Sequence, residues 1–293
     1  MEKYFTWDPD PTAFVLPGIH HPIAWYGILF ALGFFLAFYL LRTLFIRMAG
    51  AETTWPPSAL KKEGNRFAEK LTAVVIMSTV LGARLGHILF YENWGEFLSE
   101  PLRILKTWEG GLASHGGVIG IVVGLLLFMR RHKKTYPFLS VLRLIDLLVV
   151  PALFVGAFIR VGNFINQEVL GTVTTLPWAV VFLHPIDGGA PLPRHPSQLY
   201  EALFYALSAL LYWKLFPRQS KNPGRLTALF FMTTFGFRFL IEWVKEEQSA
   251  LLGIHGITMG QILSLPLILI GGLLLFNQHR KKGRKGEADP KES

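Results

Sequence analysis

The sequence contains no cysteine, which excludes a disulfide framework, a thiol nucleophile and a thiolate metal site on this chain. Charge is scarce as well. Charged residues make up 17% of the chain, against about a quarter in an ordinary soluble domain. The first fifteen residues, with Asp8, Pro9, Asp10 and Pro11, lack a basic n-region and a following cleavage site. The first apolar run therefore reads as a retained helix. No H-E-x-x-H, EF-hand loop or P-loop occurs, so neither a metal nor a nucleotide mechanism has support. A G-x-S-x-G elbow is missing too, which leaves the His115-Gly116-Gly117 run a weak match to an esterase oxyanion motif. No internal repeat and no inverted pair of broken helices of the transporter kind stand out.

Long apolar runs are what the chain has in abundance. Of its 293 residues 51% are hydrophobic, and the mean hydropathy is +0.38. Runs near the roughly 20 residues that cross a bilayer recur along the chain. Seven spans are expected: Pro22–Leu41, Leu71–Tyr91, Gly111–Met129, Val141–Ile159, Pro196–Phe216, Leu226–Val244 and Thr258–Phe276. The fold class is thus an all-α polytopic membrane protein of about seven transmembrane helices. Lys and Arg alternate between the connections. Segments 42–70, 130–143, 214–225 and 277–293 hold 6, 5, 4 and 6, whereas 1–21, 92–115, 160–195 and 242–257 hold 1, 2, 2 and 1. By the positive-inside rule the N-terminus lies outside and the C-terminus in the cytoplasm. The net charge of +9 then marks topology rather than nucleic-acid binding. Three parts follow: an outer N-terminal segment at 1–21, a single transmembrane domain at 22–276 with an external loop or head at about 160–195, and a basic cytoplasmic tail at 277–293. Gly50–Lys62 reads as a polar connection, and Asp187-Gly188-Gly189 as a turn in the external loop. Gly82, Gly86, Gly116, Gly117, Gly120 and Gly124 fall at spacings that let helices pack closely in lipid.

A charge at mid-bilayer costs about 2.5–3.5 kcal/mol even on the lenient insertion scale, so intramembrane charges are functional candidates. With the orientation above, Arg84, His87 and Tyr91 occupy one face of the outer half of the second span. Ser114 and His115 open the third, and Arg160, Asn163 and Asn166 follow the outer end of the fourth. His195, Gln198 and Glu201 sit at the outer mouth of the fifth. Arg238 and Glu242, an i,i+4 pair, close the sixth. Polar groups from five helices thus gather at one depth. A structural network would look alike, but paired arginines at headgroup depth suit a phosphate.

At these residues a family becomes recognisable. The run Arg160-Val161-Gly162-Asn163-Phe164-Ile165-Asn166-Gln167-Glu168-Val169-Leu170-Gly171 resembles the signature of the prolipoprotein diacylglyceryl transferases. Further matches follow in order: Trp25-Tyr26-Gly27, Gly82-Ala83-Arg84, Glu109-Gly110-Gly111 through His115-Gly116-Gly117, Arg194-His195-Pro196-Ser197-Gln198-Leu199-Tyr200-Glu201, Phe237-Arg238 and Met259-Gly260-Gln261-Ile262. The resemblance covers nearly the whole chain, from about Pro22 to Gly271. It implies a multi-pass bacterial inner-membrane enzyme with its active site facing the periplasm. Such an enzyme moves the diacylglyceryl group of phosphatidylglycerol to the lipobox cysteine of a prolipoprotein signal peptide, forming a thioether and releasing glycerol phosphate. No cofactor is implied. By motif, Arg160 matches the family's lipid-binding arginine, Arg238 its second important arginine, and His115 its proposed base. Asn163, Gly171, Glu168 and Tyr26 match further activity-linked positions. Arg84, His195, Glu201 and Glu242 complete the expected substrate site. Ile159, Thr234 and Ala24 depart from the pattern and place details of the pocket in question.

The expected chemistry is proton withdrawal from the thiol by His115, with Arg160 and Arg238 binding the phosphate and Glu168 and Glu242 holding the arginines. His195 is the reserve base. Reference pKa values of about 8.5 for Cys and 6.5 for His make the transfer uphill by roughly 2.7 kcal/mol, which a nearby guanidinium offsets. Two readings from other classes stay open. A transporter or flippase would spread polar residues to the cytoplasmic side, where Asp146 alone lies deep. A phospholipase or acyltransferase would use Ser114 with His115, yet adjacent residues on a helix face different ways. A non-catalytic scaffold is the bland alternative.

Overall fold

A computed structural model describes residues 4–18, 20–92, 111–186, 188–246 and 257–287, the side chains of Ser114 and of 281–287 excepted. Glu109, Gly110, Asp187 and the end of the basic tail lie outside the described residues. The described chain is mostly helical: α1 Trp25–Glu52, α2 Pro57–Tyr91, α3 Ser114–His132, α4 Val141–Ile165, α5 Ser197–Gln219, α6 Arg225–Ile241 and α7 Met259–Glu287. A 3-10 turn, Glu242–Val244, follows α6 directly.

Five segments among the described residues are long and apolar enough to cross a membrane: Trp25–Glu52, Pro57–Tyr91, Val141–Ile165, Arg225–Val244 and Met259–Arg280. The outer faces of the helices suit a lipid solvent. Phe35, Leu127, Leu203, Leu269 and Phe276 are each more than 60% exposed, which water would not tolerate on this scale. The other two helices coincide with expected spans but are less apolar. Both ends of α3 are polar, with His115 at one and Arg130, Arg131 and His132 at the other. A polar stripe in α5 includes Ser197, Gln198 and Glu201, all fully buried.

Two boundaries differ from expectation for physical reasons. Only Thr53 to Pro56 separates α1 from α2, so most of the polar Gly50–Lys62 connection is helical, with Pro57 at a first position where its missing N–H costs nothing. Helix α4 runs through Pro151 and past Ile159 to Ile165. A proline inside a membrane helix is tolerated where neighbours satisfy the freed carbonyl. Arg160 and Asn163 therefore belong to the last turns of a helix, three residues apart on one face.

Two compact units make up the chain, Met1–Leu41 with Ile145–Ser293, and Arg42–Leu144. In the smaller unit α2 packs on α3 through glycine. A Cβ at Gly82 would lie 2.7 Å from the Gly120 Cα and would collide with the Gly116 carbonyl; one at Gly86 would lie 2.7 Å from the Gly116 Cα. Gly124 leaves room for Ser78 in the same seam. This is close backbone approach in lipid, where dispersion replaces the missing hydrophobic drive. Towards its other end the unit closes on aromatics. Phe45 stacks on Phe67 at 4.0 Å, Tyr136 meets both edge-on, and its hydroxyl donates to Glu63 at 3.2 Å.

The larger unit carries five short strands that the helical reading did not foresee. Strands β1 (Phe5–Trp7), β4 (Val180–Phe182) and β5 (Pro193–Arg194) form one sheet, with β1 parallel to β4 and β4 antiparallel to β5. The pair β2 (Thr12–Leu16) and β3 (His21–Ala24) forms a hairpin that leads into α1. Strands of two to five residues are too short to show an alternating pattern. Their small core is Phe164, Leu170, Val180 and Phe182 with Trp7, whose indole stacks on Phe164 and donates to its carbonyl at 2.9 Å.

Asp146 is fully buried, and its role is structural. Its carboxylate accepts from the Gly224 and Thr227 amides at 2.7 Å each and from the Thr227 hydroxyl at 2.6 Å. An anion from a neighbouring helix thus caps the start of α6. Asp146→Ala is expected to lower stability by about 3 kcal/mol, because buried donors lose their acceptor. Thermal unfolding in detergent measures this, with specific activity per folded molecule unchanged.

Candidate functional site

Arg160, in the penultimate turn of α4, is the centre of the larger unit's polar cluster. Its Nε lies 3.0 Å from Oε2 of Glu201, and one terminal nitrogen donates to Asn163 Oδ1 at 3.1 Å. Asn163 in turn donates through Nδ2 to Glu168 Oε1 at 2.7 Å, and Asn166 reaches the same oxygen at 3.4 Å. The direct carboxylate partner of Arg160 is therefore Glu201, from α5. Glu168 acts through Asn163. Tyr26, at the start of α1, lies within electrostatic reach of Glu168 and Arg160, and Gly162 admits it: a Cβ there would stand 2.6 Å from its ring. Tyr205, one turn after Glu201, lies within electrostatic reach of Arg160, Glu201 and Arg238.

The segment after α4 is held by the start of α5. Gln167 and Val169 both have positive φ, 52° and 59°, which is strained for a β-branched residue and aims Glu168 back at Asn163. Ser197 donates to the Val169 carbonyl at 3.0 Å and Gln198 to the Glu168 carbonyl at 2.8 Å. Gly171 is a close approach: a Cβ there would collide with the His195 carbonyl and stand 2.8 Å from the Val244 carbonyl. Arg194 ties the Gly171 carbonyl to Glu246. The Arg194 to Glu201 run thus positions the residue 168 to 171 backbone and supplies the carboxylate for Arg160.

Arg238 stands in the last turn of α6, with Nη2 3.9 Å from Glu242 Oε1. Phe237 stacks on Phe204 of α5 at 3.9 Å and 3°, which fixes the two helices side by side. Glu242 also accepts from Thr258 at 3.2 Å, and its carboxylate lies in the space that a Cβ on residue 260 would take. Lys245 has its ammonium 3.7 Å from Glu201 Oε1 and 3.8 Å from Glu242 Oε1. A continuous chain of opposite charges results: Arg160, Glu201, Lys245, Glu242, Arg238. Glu201 is fully buried and neither carboxylate oxygen receives a hydrogen bond among the described residues, so its two cations alone compensate it. Thr234, the departure four residues before Arg238, is buried, and its hydroxyl has no partner among the described residues.

His195 sits just before α5 with Nδ1 3.3 Å from the Tyr200 hydroxyl, which accepts from the Trp178 indole at 2.7 Å. Burial pulls the His195 pKa below the ordinary histidine value.

Arg84, His87 and His115 belong to the smaller unit and form a group of their own. The Arg84 guanidinium, 5% exposed, donates to the Gly111 carbonyl at 3.2 Å and stands 3.6 Å from Glu92 Oε1. Glu92 also lies 3.7 Å from His87. Gly111 has φ +73°, and a Cβ on it would press on both Arg84 and His87 at 2.6 to 2.8 Å, so only glycine suits this turn. His87 stacks on Tyr91, and the exposed His115 ring meets Phe90 and Tyr91 at 5.2 and 5.9 Å.

Of the expected site residues, Tyr26, Arg160, Asn163, Glu168, Gly171, His195, Glu201, Arg238 and Glu242 all fall in the larger unit. Arg84 and His115 fall in the other. Sequence reasoning missed Lys245 and Tyr205, and it quoted Gly162 and Gly260 in the family-matching runs without assigning them a role. Lys245 had a signal, being a lysine three residues beyond Glu242, but it passed as one of the few basic residues of an outer connection. Tyr205 had the i,i+4 spacing to Glu201.

The comparisons with known proteins agree with one another. A family model described as prolipoprotein diacylglyceryl transferase matches residues 11–277. A protein of Tolumonas auensis named phosphatidylglycerol–prolipoprotein diacylglyceryl transferase is 40% identical over 95% of this chain and 99% of its own length. Relatives of the same name from Porphyromonas gingivalis and Protochlamydia amoebophila are 39% and 31% identical, covering 94% and 93% of this chain and 95% and 94% of theirs.

Proposed function

Because the chain belongs to the prolipoprotein diacylglyceryl transferase family, we propose a reading in which its arginine cluster binds the phosphate of the lipid donor. The enzyme transfers the diacylglyceryl group of phosphatidylglycerol to the lipobox cysteine thiol of a prolipoprotein. A sulfur–carbon bond forms at an sp3 carbon, the carbon–oxygen bond to phosphate breaks, and the thiol proton goes to a base. Glycerol phosphate leaves with the electron pair. No acyl-enzyme is needed, which suits a chain with no nucleophile elbow.

As that bond breaks, the phosphate changes from a singly charged diester to a doubly charged monoester. Groups that bind the second charge better than the first accelerate the step. The observation that supports this role for Arg160 and Arg238 is their linkage through Glu201, Lys245 and Glu242, an ion chain of three cations and two carboxylates with the Glu168 carboxylate set back behind Asn163. Asn163, with Glu168 behind it, fixes the Arg160 fork, and Tyr26 and Tyr205 flank it. Gly171 brings the His195 backbone against this site. Arg84 is assigned a separate contact to substrate, from the smaller unit.

His115 holds the role of base on the family resemblance. The specific observation favouring a second reading is that His195 lies in the arginines' unit and that burial lowers its pKa. His115→Ala is expected to remove turnover, and His195→Ala to retain most of it. The pH profile of kcat/KM separates them further. A base with a depressed pKa keeps its activity to lower pH than an ordinary histidine, so an acid limb shifted below 6.5 and abolished in His195→Ala would transfer the role to His195. By the same sign, whatever stability His195 contributes is present above its unfolded pKa and lost as pH falls below it.

The reading places the site at the periplasmic side of the bacterial inner membrane, in one catalytic domain at 22–276 of seven spans, N-terminus outside, with residues 160–195 as head and 277–293 as cytoplasmic tail. The excess of Lys and Arg on alternate connections supports that orientation. The product has a physical use, since two acyl chains anchor stably where one is marginal. The test is the full chain in proteoliposomes with phosphatidylglycerol and a lipobox peptide. Gain of one diacylglyceryl mass on the cysteine is expected, and an unmodified peptide sinks the assignment.

A further inference from the structure

We infer that Lys245 is a positioning residue that ties the Arg160 and Arg238 guanidinium groups into a single phosphate site by bridging their two carboxylate partners. This rests on the proposed phosphate-binding role of those arginines. Lys245 lies immediately beyond the 3-10 turn that ends the sixth helix, and its side chain is only 3% exposed. Long lysine stems ordinarily carry the ammonium out to water or headgroups. This one turns inward and lies 3.7 Å from Glu201 and 3.8 Å from Glu242.

Its backbone cannot follow a different course. Lys245 pairs with Gly171 in an isolated bridge, the Glu246 amide donates to the Leu170 carbonyl at 3.0 Å, and the Thr172 amide to the Val244 carbonyl at 3.0 Å. The missing side chain at Gly171 is what permits this contact, so the same glycine that seats His195 also seats Lys245. Each carboxylate it bridges belongs to a different arginine: Glu201 to Arg160 on α4, Glu242 to Arg238 on α6. Without the ammonium, Glu201 keeps one cation and Glu242 keeps one at 3.9 Å, and the two halves have no ionic link.

Charge balance indicates what the bridge is for. Two arginine–glutamate pairs alone are neutral, and a third cation strengthens their attraction for an anion. The third cation gives the five-residue ion chain three cations against two carboxylates, with the Glu168 carboxylate set back behind Asn163. Burial lowers the Lys245 pKa, Glu201 and Glu242 act against that, and the two arginines reinforce it. A bound phosphate adds a further anion to the favourable side. A purely structural salt bridge would hold the helices equally well without affecting the lipid selectively, and that difference is measurable.

The experiment compares Lys245→Met and Lys245→Arg in the full-length enzyme, reconstituted in vesicles of graded phosphatidylglycerol content with a lipobox peptide. Lys245→Met is expected to raise the KM for phosphatidylglycerol about tenfold, the scale of one charge-assisted contact, with the KM for peptide unchanged. Lys245→Arg is expected to restore the lipid KM to within about threefold. An unchanged lipid KM in Lys245→Met, or equal rises in both KM values, overturns the inference. Should Lys245→Met not fold, Lys245→Gln has the same expectation, since it keeps donors for Glu201 but no charge. Arg160→Lys and Arg238→Lys are run in parallel. If neither alters the lipid KM, the phosphate site itself is wrong; if both do and Lys245→Met does not, only the bridging role fails.

Discussion

Arg160→Ala is expected to reduce turnover by about 10²- to 10³-fold, the scale of removing one preorganised donor from a developing anion. The site geometry predicts a second effect of comparable importance. Glu201 is fully buried, takes no hydrogen bond among the described residues, and relies on Arg160 at 3.0 Å and Lys245 at 3.7 Å. Removing one partner of a buried ion pair costs about 3–5 kcal/mol, because the remaining charge is left uncompensated. A simple loss of activity would thus mix chemistry with folding. The pairing of Arg160→Met with Glu201→Gln separates them. That double variant contains no stranded carboxylate, and its unfolding temperature is expected to recover towards the parent. Its turnover is expected to stay down, since the guanidinium is still absent. Arg160→Lys belongs between the two: the charge is kept, while the fork that addresses Glu201 and Asn163 together is lost. Full turnover in Arg160→Ala would remove the phosphate-binding role outright.

Gly116→Leu is expected to destabilise the smaller unit by about 3 kcal/mol or more, at the upper end of what overpacking usually costs. The added Cβ would collide with the Gly82 carbonyl and stand 2.8 Å from the Gly86 Cα, so backbone rather than a flexible side-chain tip must give way. A control lies one residue on. A Cβ at Gly117 meets nothing closer than 3.5 Å, and Gly117→Ala is expected to leave the unfolding temperature within a degree or two. If both variants unfold alike, the glycine seam is not what holds α2 to α3. The same seam sets His115 at the start of α3, so activity in Gly116→Leu is expected to fall with the packing.

The helices were legible because a bilayer imposes a length and a composition that no other constraint imitates. Each expected span overlaps a helix, and the errors are confined to ends. The largest error has a clear cause. Gly162, Asn163 and Asn166 look like turn residues, yet the helix continues through Gly162 and Asn163 to Ile165, and glycine at 162 leaves room for the Tyr26 ring instead of breaking the helix. The arginines were legible from the cost of charge in lipid. Their partners were only half legible: Arg238 and Glu242 share a helical spacing, whereas Glu201 is far from Arg160 in sequence and only the tertiary fold pairs them. Glu168 looked like the natural counter-ion because it belongs to the same motif, and the folded chain inserts Asn163 between them. Lys245 was passed over because charge counting assigns a residue to a connection without asking where its stem turns. The strands of the head had no signal of their own, since β1 pairs with β4 across more than 170 residues.

The central claim is that Arg160 and Arg238 serve one phosphate, and a double-mutant cycle on the lipid tests it most directly. kcat/KM for phosphatidylglycerol would be measured for the parent, Arg160→Lys, Arg238→Lys and the double variant in the same vesicles. Residues that grip one anion act as a unit, so the double variant is expected to lose distinctly less than the product of the single losses. Losses that simply multiply would mean that the two guanidinium groups work apart, and would contradict the shared site.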